Sequence, residues 1–180
     1  MISIESLEAD PNALRRAFGC FPSGVTAVSA LVDGAPIGMA ASSFTSVSLE
    51  PALVSLCFQA GSGTWKMLRT LPKLGISVLA QGQDDICMTL ARRADNRFAS
   101  VAWDHTEEGA VLVRGATAWL ECSPYAELPA GDHTIALLQI HGLIAKPDAA
   151  PLVFHGSKFR RLAVLAFDGD MADFVPYEAE

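Results

Sequence analysis

A chain of 180 residues suits one domain, and at that size folding buries roughly 70% of the surface that the unfolded chain exposes. Hydrophobic residues make up 51% of it and the mean hydropathy is +0.30, so surplus apolar surface must be covered by an oligomer interface or a bound ligand. The net charge of −7 speaks against nucleic acid, which draws affinity from clustered Lys and Arg, and no apolar run approaches the roughly 20 residues that cross a bilayer, so no membrane is expected.

The opening MISIESLEAD is acidic where a secretory leader is basic, and a cytoplasmic location is expected. Cys20, Cys57, Cys87 and Cys122 form no C-x-x-C pair; they read as reduced thiols, without a metal. In chain order, Asp10-Pro11 reads as a helix cap and first turn, with Ala13, Leu14, Ala17 and Phe18 at helical spacing up to Gly19. Gly24–Val32 and Ala35–Ser42 are β-rich and flank Asp33-Gly34, a hairpin signature.

Leu53–Phe58 and Leu74–Ala80 read as buried strands, separated by a short helix over Thr64–Leu71 that Pro72 ends. A second short helix is expected over Asp84–Ala91. Ala110–Cys122, His133–Ile144 and Pro151–His155 supply three more strands. Six or seven strands with short helices predict a mainly β fold, a barrel. It occupies residues 1–167 as one domain, followed by an acidic tail over 168–180.

Neither G-x-G-x-x-G nor a G-x-x-x-x-G-K-[ST] loop occurs, since Lys66 stands where the third glycine after Gly61 and Gly63 belongs. Nor is there a G-x-S-x-G elbow. Three segments remain in which small and polar residues gather at strand ends. Gly38 to Ser48 offers backbone N–H groups and hydroxyls to a flat polar ring, although on residue chemistry alone Ser/Thr-rich strand ends are ordinarily turns.

Gln59 to Lys66 leads into a helix that Thr64 can cap; with Lys66 or Arg69 nearby it makes a phosphate site, or only a capped helix. The third segment, Ala130-Gly131-Asp132-His133-Thr134, precedes a strand. On its own His133 is no more distinctive than His105, His141 or His155.

Together these segments, with FPSGVTAVSA, ADNRF at Ala94–Phe98, GAVLVRGATAWLEC and PLVFHGSKFRRL, resemble the flavin reductases of two-component monooxygenases, which have the FMN-binding split β-barrel fold. The resemblance implies an NAD(P)H:flavin oxidoreductase that passes a hydride from NADH or NADPH to FMN or FAD. It further implies a homodimer, and a partner flavin-dependent oxygenase served by diffusing reduced flavin. Met39, Ala40, Ala41, Ser42 and Ser43 would then lie along the flavin ring, Phe58, Gln59, Ser62 and Thr64 near the ribityl chain and phosphate, and Arg97 and Phe98 on the phosphate side. His133 would serve the nicotinamide cofactor.

Ala40 and Ala52 depart from the family, which often has Thr or Asn at the first and Pro at the second. No catalytic side chain is expected, because hydride passes between cofactors. Two alternatives are a non-catalytic FMN-binding or electron-transfer protein and a split-barrel oxidase of a small molecule, as in the relatives of pyridoxamine-phosphate oxidase.

Overall fold

Small residues set how the strands meet. The computed structural model describes residues 2, 10, 12–92, 94 and 96–163, so the acidic tail expected over 168–180 lies outside it. The chain opens with α1 (Ala13–Gly19). It continues through β1 (Ser23–Gly24), β2 (Thr26–Val32), β3 (Ala35–Ala41), β4 (Thr45–Leu49), β5 (Ala52–Gln59), α2 (Gly63–Leu68), β6 (Leu74–Val78) and α3 (Asp84–Ala91). It then runs through β7 (Trp103–His105), β8 (Val111–Val113), β9 (Ala118–Ala130), β10 (His133–Ala145), β11 (Val153–His155) and β12 (Lys158–Arg160).

Seven of these strands form one antiparallel sheet in the order β3-β2-β6-β9-β10-β5-β4. One core gathers side chains from around it: Val28 from β2, Leu56 and Phe58 from β5, Ile76 from β6, Leu120 from β9 and Leu138 from β10, with Trp65 and Leu68 of α2 beside them. Each such side chain contributes about 1.5–3 kcal/mol by leaving water. The sheet therefore curls round its own core with an open seam between its edges β3 and β4, the mainly β split barrel that the sequence predicts. Just before β4, Ser43 ties the β3–β4 link to β5, its hydroxyl donating to the Cys57 carbonyl at 3.2 Å and accepting the Cys57 N–H at 2.9 Å.

The outer faces of β2 and β6 bury a second core, Ala27, Leu79, Leu90, Phe98, Val111 and Val113 among its members. Two buried serines fasten β8 to it: Ser29 donates to the Val111 carbonyl and Ser77 accepts the Val113 N–H, each at 2.9 Å. Gly75 lies where β8 comes nearest. A Cβ there would meet the Val111 carbonyl group, its carbon at 2.7 Å.

The Asp33-Gly34 hairpin is as expected, both residues taking the positive φ (50° and 78°) that its tight turn requires. Elsewhere the boundaries move. Ala110–Cys122 is not one strand, because Gly115 turns the chain at φ 79° between β8 and β9.

β9 runs on through Pro124 and Pro129 to Ala130, so β9 and β10 make a long hairpin whose Gly131-Asp132 turn joins them. Both prolines are tolerated there because β6 pairs with β9 only over Ala118–Cys122, which leaves them a side with no ladder partner. At the N-terminus α1 starts at Ala13 rather than at Asp10-Pro11. Asp10 reaches forward instead, accepting the Asn12 N–H at 2.8 Å and the Arg16 guanidinium at 2.6 Å. Among the described residues nothing buries the apolar face of α1, and Phe18 is 70% exposed.

Burial decides which cysteine reacts. Cys122 lies in the barrel core, where desolvation, helped by neighbouring Glu121 and opposed by Lys73, pushes its thiol up to about 12. Because its folded value exceeds the unfolded one, this contribution to stability is fully present below about pH 9 and is lost as pH rises towards 12. At pH 8 a disulfide reagent should label the exposed Cys20 promptly and reach Cys122 only on unfolding. Prompt labelling of Cys122 in the folded protein would contradict its placement.

Candidate flavin site

At one end of the barrel the edge strand β3, the start of α2 and the end of α3 enclose a cleft of two chambers. The first, about 450 Å³, is lined by Met39, Ala40, Gln59, Gly61, Ser62, Gly63, Thr64, Leu90, Ala91 and Arg97. The second, about 270 Å³, shares Gly63, Thr64 and Arg97 with it and adds Pro36, Ile37, Gly38, Met67, Ala94 and Phe98. In a chain of net charge −7, no carboxylate is among these residues.

Local structure sets the donors. Ser62 is the N-cap of α2, in the place expected of Thr64, and its oxygen accepts the Trp65 N–H at 3.1 Å. Thr64 is thereby released from capping and faces both chambers. Arg97 is held by backbone alone, its Nη1 donating to the Gly38 carbonyl at 3.0 Å and to the Leu90 carbonyl at 3.5 Å. Among the described residues it makes no ion pair, and the rest of its five donors remain for a ligand.

The Gly38 carbonyl points away from β2, to Arg97, and in an antiparallel strand a residue's N–H and C=O share one side, alternating along the chain. Ala40 therefore also turns its N–H and C=O outward, while Ala41 faces β2 and its carbonyl accepts the Thr26 hydroxyl at 3.0 Å. A backbone donor at the strand edge thus survives the departure from Thr or Asn at Ala40.

The cleft unites most of the residues that the sequence singles out. Met39, Ala40, Gln59, Ser62, Thr64 and Arg97 line the first chamber and Phe98 the second. Ala41, Ser42 and Ser43 continue along the same edge without lining either. The Phe58 ring is withdrawn into the core, stacked on Trp65 with centroids 4.1 Å apart. Sequence reasoning missed Leu90 and Ala91, which enter only because α3 ends there, and Pro36, Ile37 and Met67, whose apolar character gave no signal against the core.

The cations expected near a phosphate are corrected. Arg69 pairs with Glu127 at 2.9 Å, the same carboxylate that accepts the Trp65 indole N–H at 2.6 Å, and Lys66 is exposed outside both chambers. The Coulomb attraction of Glu127 turns Arg69 away, and among the described residues Arg97 is the guanidinium that lines the cleft.

His133 lies beside this cleft rather than in it. In the sheet it pairs with Gln59, and the Asp132 carbonyl accepts the Ala60 N–H at 3.0 Å. The His133 ring, 2.8 Å from the Asp132 carboxylate, holds that carboxyl below its ordinary range.

A cleft with no acidic side chain among its described lining residues, carrying the Arg97 guanidinium, two hydroxyls and an outward strand edge, is chemically suited to a flavin nucleotide: N–H and C=O groups for the ring, cation and hydroxyls for the phosphate.

Residues 18–163 match the flavin reductase like domain, and the chain belongs to that family. It is 41% identical over 165 residues to an NADH-dependent FAD reductase of Streptomyces globisporus, covering 88% of this chain and 90% of that one. A solved NADH:FAD oxidoreductase of the same organism, in complex with NAD and FAD fragments, superposes with a TM-score of 0.84 at 38% identity, covering 94% of this chain and all of the other. Two Rhizobium meliloti proteins also match, a probable flavin reductase at 42% identity over 129 residues and a stachydrine N-demethylase reductase subunit at 38% over 127. They take in 71% and 70% of this chain, which spans about half of their length, 42% and 55% respectively. Among the described residues no helix is long and apolar enough to cross a membrane.

Proposed function

We propose that the chain is an NAD(P)H-dependent flavin reductase, in which FMN or FAD occupies the cleft and accepts a hydride from a dihydronicotinamide. The observation that carries this is the donor set of the cleft: Arg97, Ser62 and Thr64 converge, with no carboxylate among the described lining residues, beside the outward edge of β3. A flavin supplies the redox chemistry, because it takes up two electrons as hydride from the nicotinamide. What the protein's residues supply is alignment and charge.

Arg97, Ser62 and Thr64 hold the phosphate end. The Ala40 N–H and the Gln59 amide donate to the polar groups of the ligand, and negative charge is easier to hold next to fixed dipoles than in water. No side chain is required to give or take a proton in the hydride step, because the hydride passes between the two cofactors.

His133 begins β10 opposite Gln59, next to the turn whose Asp132 carbonyl holds Ala60, and this neighbourhood supports a role in positioning the nicotinamide nucleotide. His133→Ala should raise the KM for NADH, or slow hydride transfer, by about tenfold, a change of about 1.4 kcal/mol. Flavin affinity, measured by titration, should barely move; lost flavin binding with normal reduction of the remainder would assign His133 to the flavin instead.

A relative that is a reductase subunit supports a partner component, here an oxygenase fed by reduced flavin that leaves this protein, with both acting in the cytoplasm. Leu49, Leu143 and Ile144, at 89%, 65% and 61% exposure, support a homodimer that would cover them; light scattering at micromolar concentration should give twice the mass of the chain. The deciding experiment for the activity is anaerobic rapid mixing of flavin-loaded protein with NADH and with NADPH. Loss of oxidised-flavin absorbance at a rate set by nicotinamide concentration is expected, and a bound flavin that neither donor reduces would refute the assignment.

A further inference from the structure

Beyond Arg97 the cleft continues into the second chamber, about 270 Å³. We propose that this chain is selective for FAD, the chamber beyond Arg97 seating the adenosine end of the dinucleotide while Arg97 grips the diphosphate at the junction. This rests on the flavin reductase reading above and adds which flavin the cleft is shaped for.

Two walls of the cleft run on unbroken from one chamber to the other. Along β3 the lining passes from Ala40 and Met39 back through Gly38 to Ile37 and Pro36; along α2 it passes from Gly63 to Met67, four residues on and therefore on the same helix face. Arg97 stands where the chambers meet, held at Gly38 by its 3.0 Å bond to the carbonyl. A planar guanidinium with donors to spare suits two adjacent phosphates better than one, because its fork spans oxygens of both.

The character of the lining changes across that junction. In the first chamber it includes the Gln59 amide and the Ser62 hydroxyl. Beyond Arg97 it turns to Pro36, Ile37, Met67 and Phe98, the surroundings that a purine face favours, with methionine sulfur a good neighbour for an aromatic edge. Met67 is 47% exposed, and a ligand ending at the junction would leave this apolar wall wet. An adenosine diphosphate group also belongs to NADH, so the experiment separates the two sources.

Riboflavin, FMN and FAD should be titrated into the protein by flavin fluorescence, then into Met67→Trp, which fills the chamber from an exposed helix position, and Met67→Ala, which leaves it open. FAD should bind about tenfold or more tightly than FMN to the unaltered protein. Met67→Trp should abolish that preference while moving FMN affinity less than about threefold, and Met67→Ala should retain it. Equal affinities for FMN and FAD in the unaltered protein overturn the proposal, as does a Met67→Trp variant that keeps the preference or weakens both flavins alike. If Met67→Trp raises the KM for NADH and spares FAD, the seat belongs to the nicotinamide nucleotide and the assignment to FAD is overturned. Failure of all three flavins to bind the unaltered protein would defeat the flavin reading itself, a result distinct from the loss of FAD preference alone.

Discussion

Gly75→Ala should destabilise the fold by about 3 kcal/mol or more, read as a lower urea midpoint. The added Cβ would overlap the Val111 carbonyl, with the carbonyl carbon at 2.7 Å and a Leu112 methyl at 2.9 Å. A flexible side chain could swing aside, but a backbone carbonyl moves only with its strand, so β8 must back away from β6. That movement stretches the Ser77 hydrogen bond to the Val113 N–H and the Ser29 bond to the Val111 carbonyl. Overpacking costs about 1–3 kcal/mol, and each buried group left without a partner about 1–3 more. Gly24→Ala is the control, since nothing lies within 4 Å of a Cβ there. Equal midpoints for the two variants would mean that β8 is not packed as described.

Arg97→Ala should cost FMN and FAD about 2–3 kcal/mol of binding, roughly 30- to 150-fold in Kd, while riboflavin changes little. The reasoning is electrostatic. Arg97 is the guanidinium that lines both chambers, and no described carboxylate competes for it. Its loss would leave the Ser62 and Thr64 hydroxyls facing the phosphate alone, whereas riboflavin carries no phosphate to notice the change. Arg97→Lys should recover only part of the loss, since one ammonium cannot hold the Gly38 carbonyl and span phosphate oxygens together. A parallel loss for riboflavin would instead make Arg97 a brace for β3, acting through Gly38.

How much the sequence disclosed depended on what each residue's neighbours were. Asp33-Gly34 carries its own instruction, because few residues tolerate positive φ in succession, and its hairpin is where the sequence puts it. Pro124 and Pro129 mislead for the opposite reason: proline opposes a strand only where its missing N–H is needed, and which side of β9 lacks a partner depends on where β6 stops, some fifty residues away in the chain. Ala110–Cys122 is a uniform β-rich run in which only the single Gly115 betrays a turn.

At the site, the resemblance brought out Arg97 and Ser62, and local chemistry brought out the start of α2. It could not show that Arg69 would be captured by Glu127, or that Phe58 would turn inward to stack on Trp65. Both outcomes depend on which face of a strand meets the helix, and that is settled by register across the sheet.

The pairing of Trp65 with Phe58 also gives the protein an optical gauge. The Trp65 indole is 4% exposed and its N–H is bonded to Glu127, so its emission is sheltered from solvent and tuned by a fixed negative charge. Its backbone N–H bonds the Ser62 hydroxyl at the rim of the cleft. An oxidised isoalloxazine absorbs where indole emits, so a flavin arriving at that rim should dim Trp65, and the filling of the cleft can be followed without any added dye.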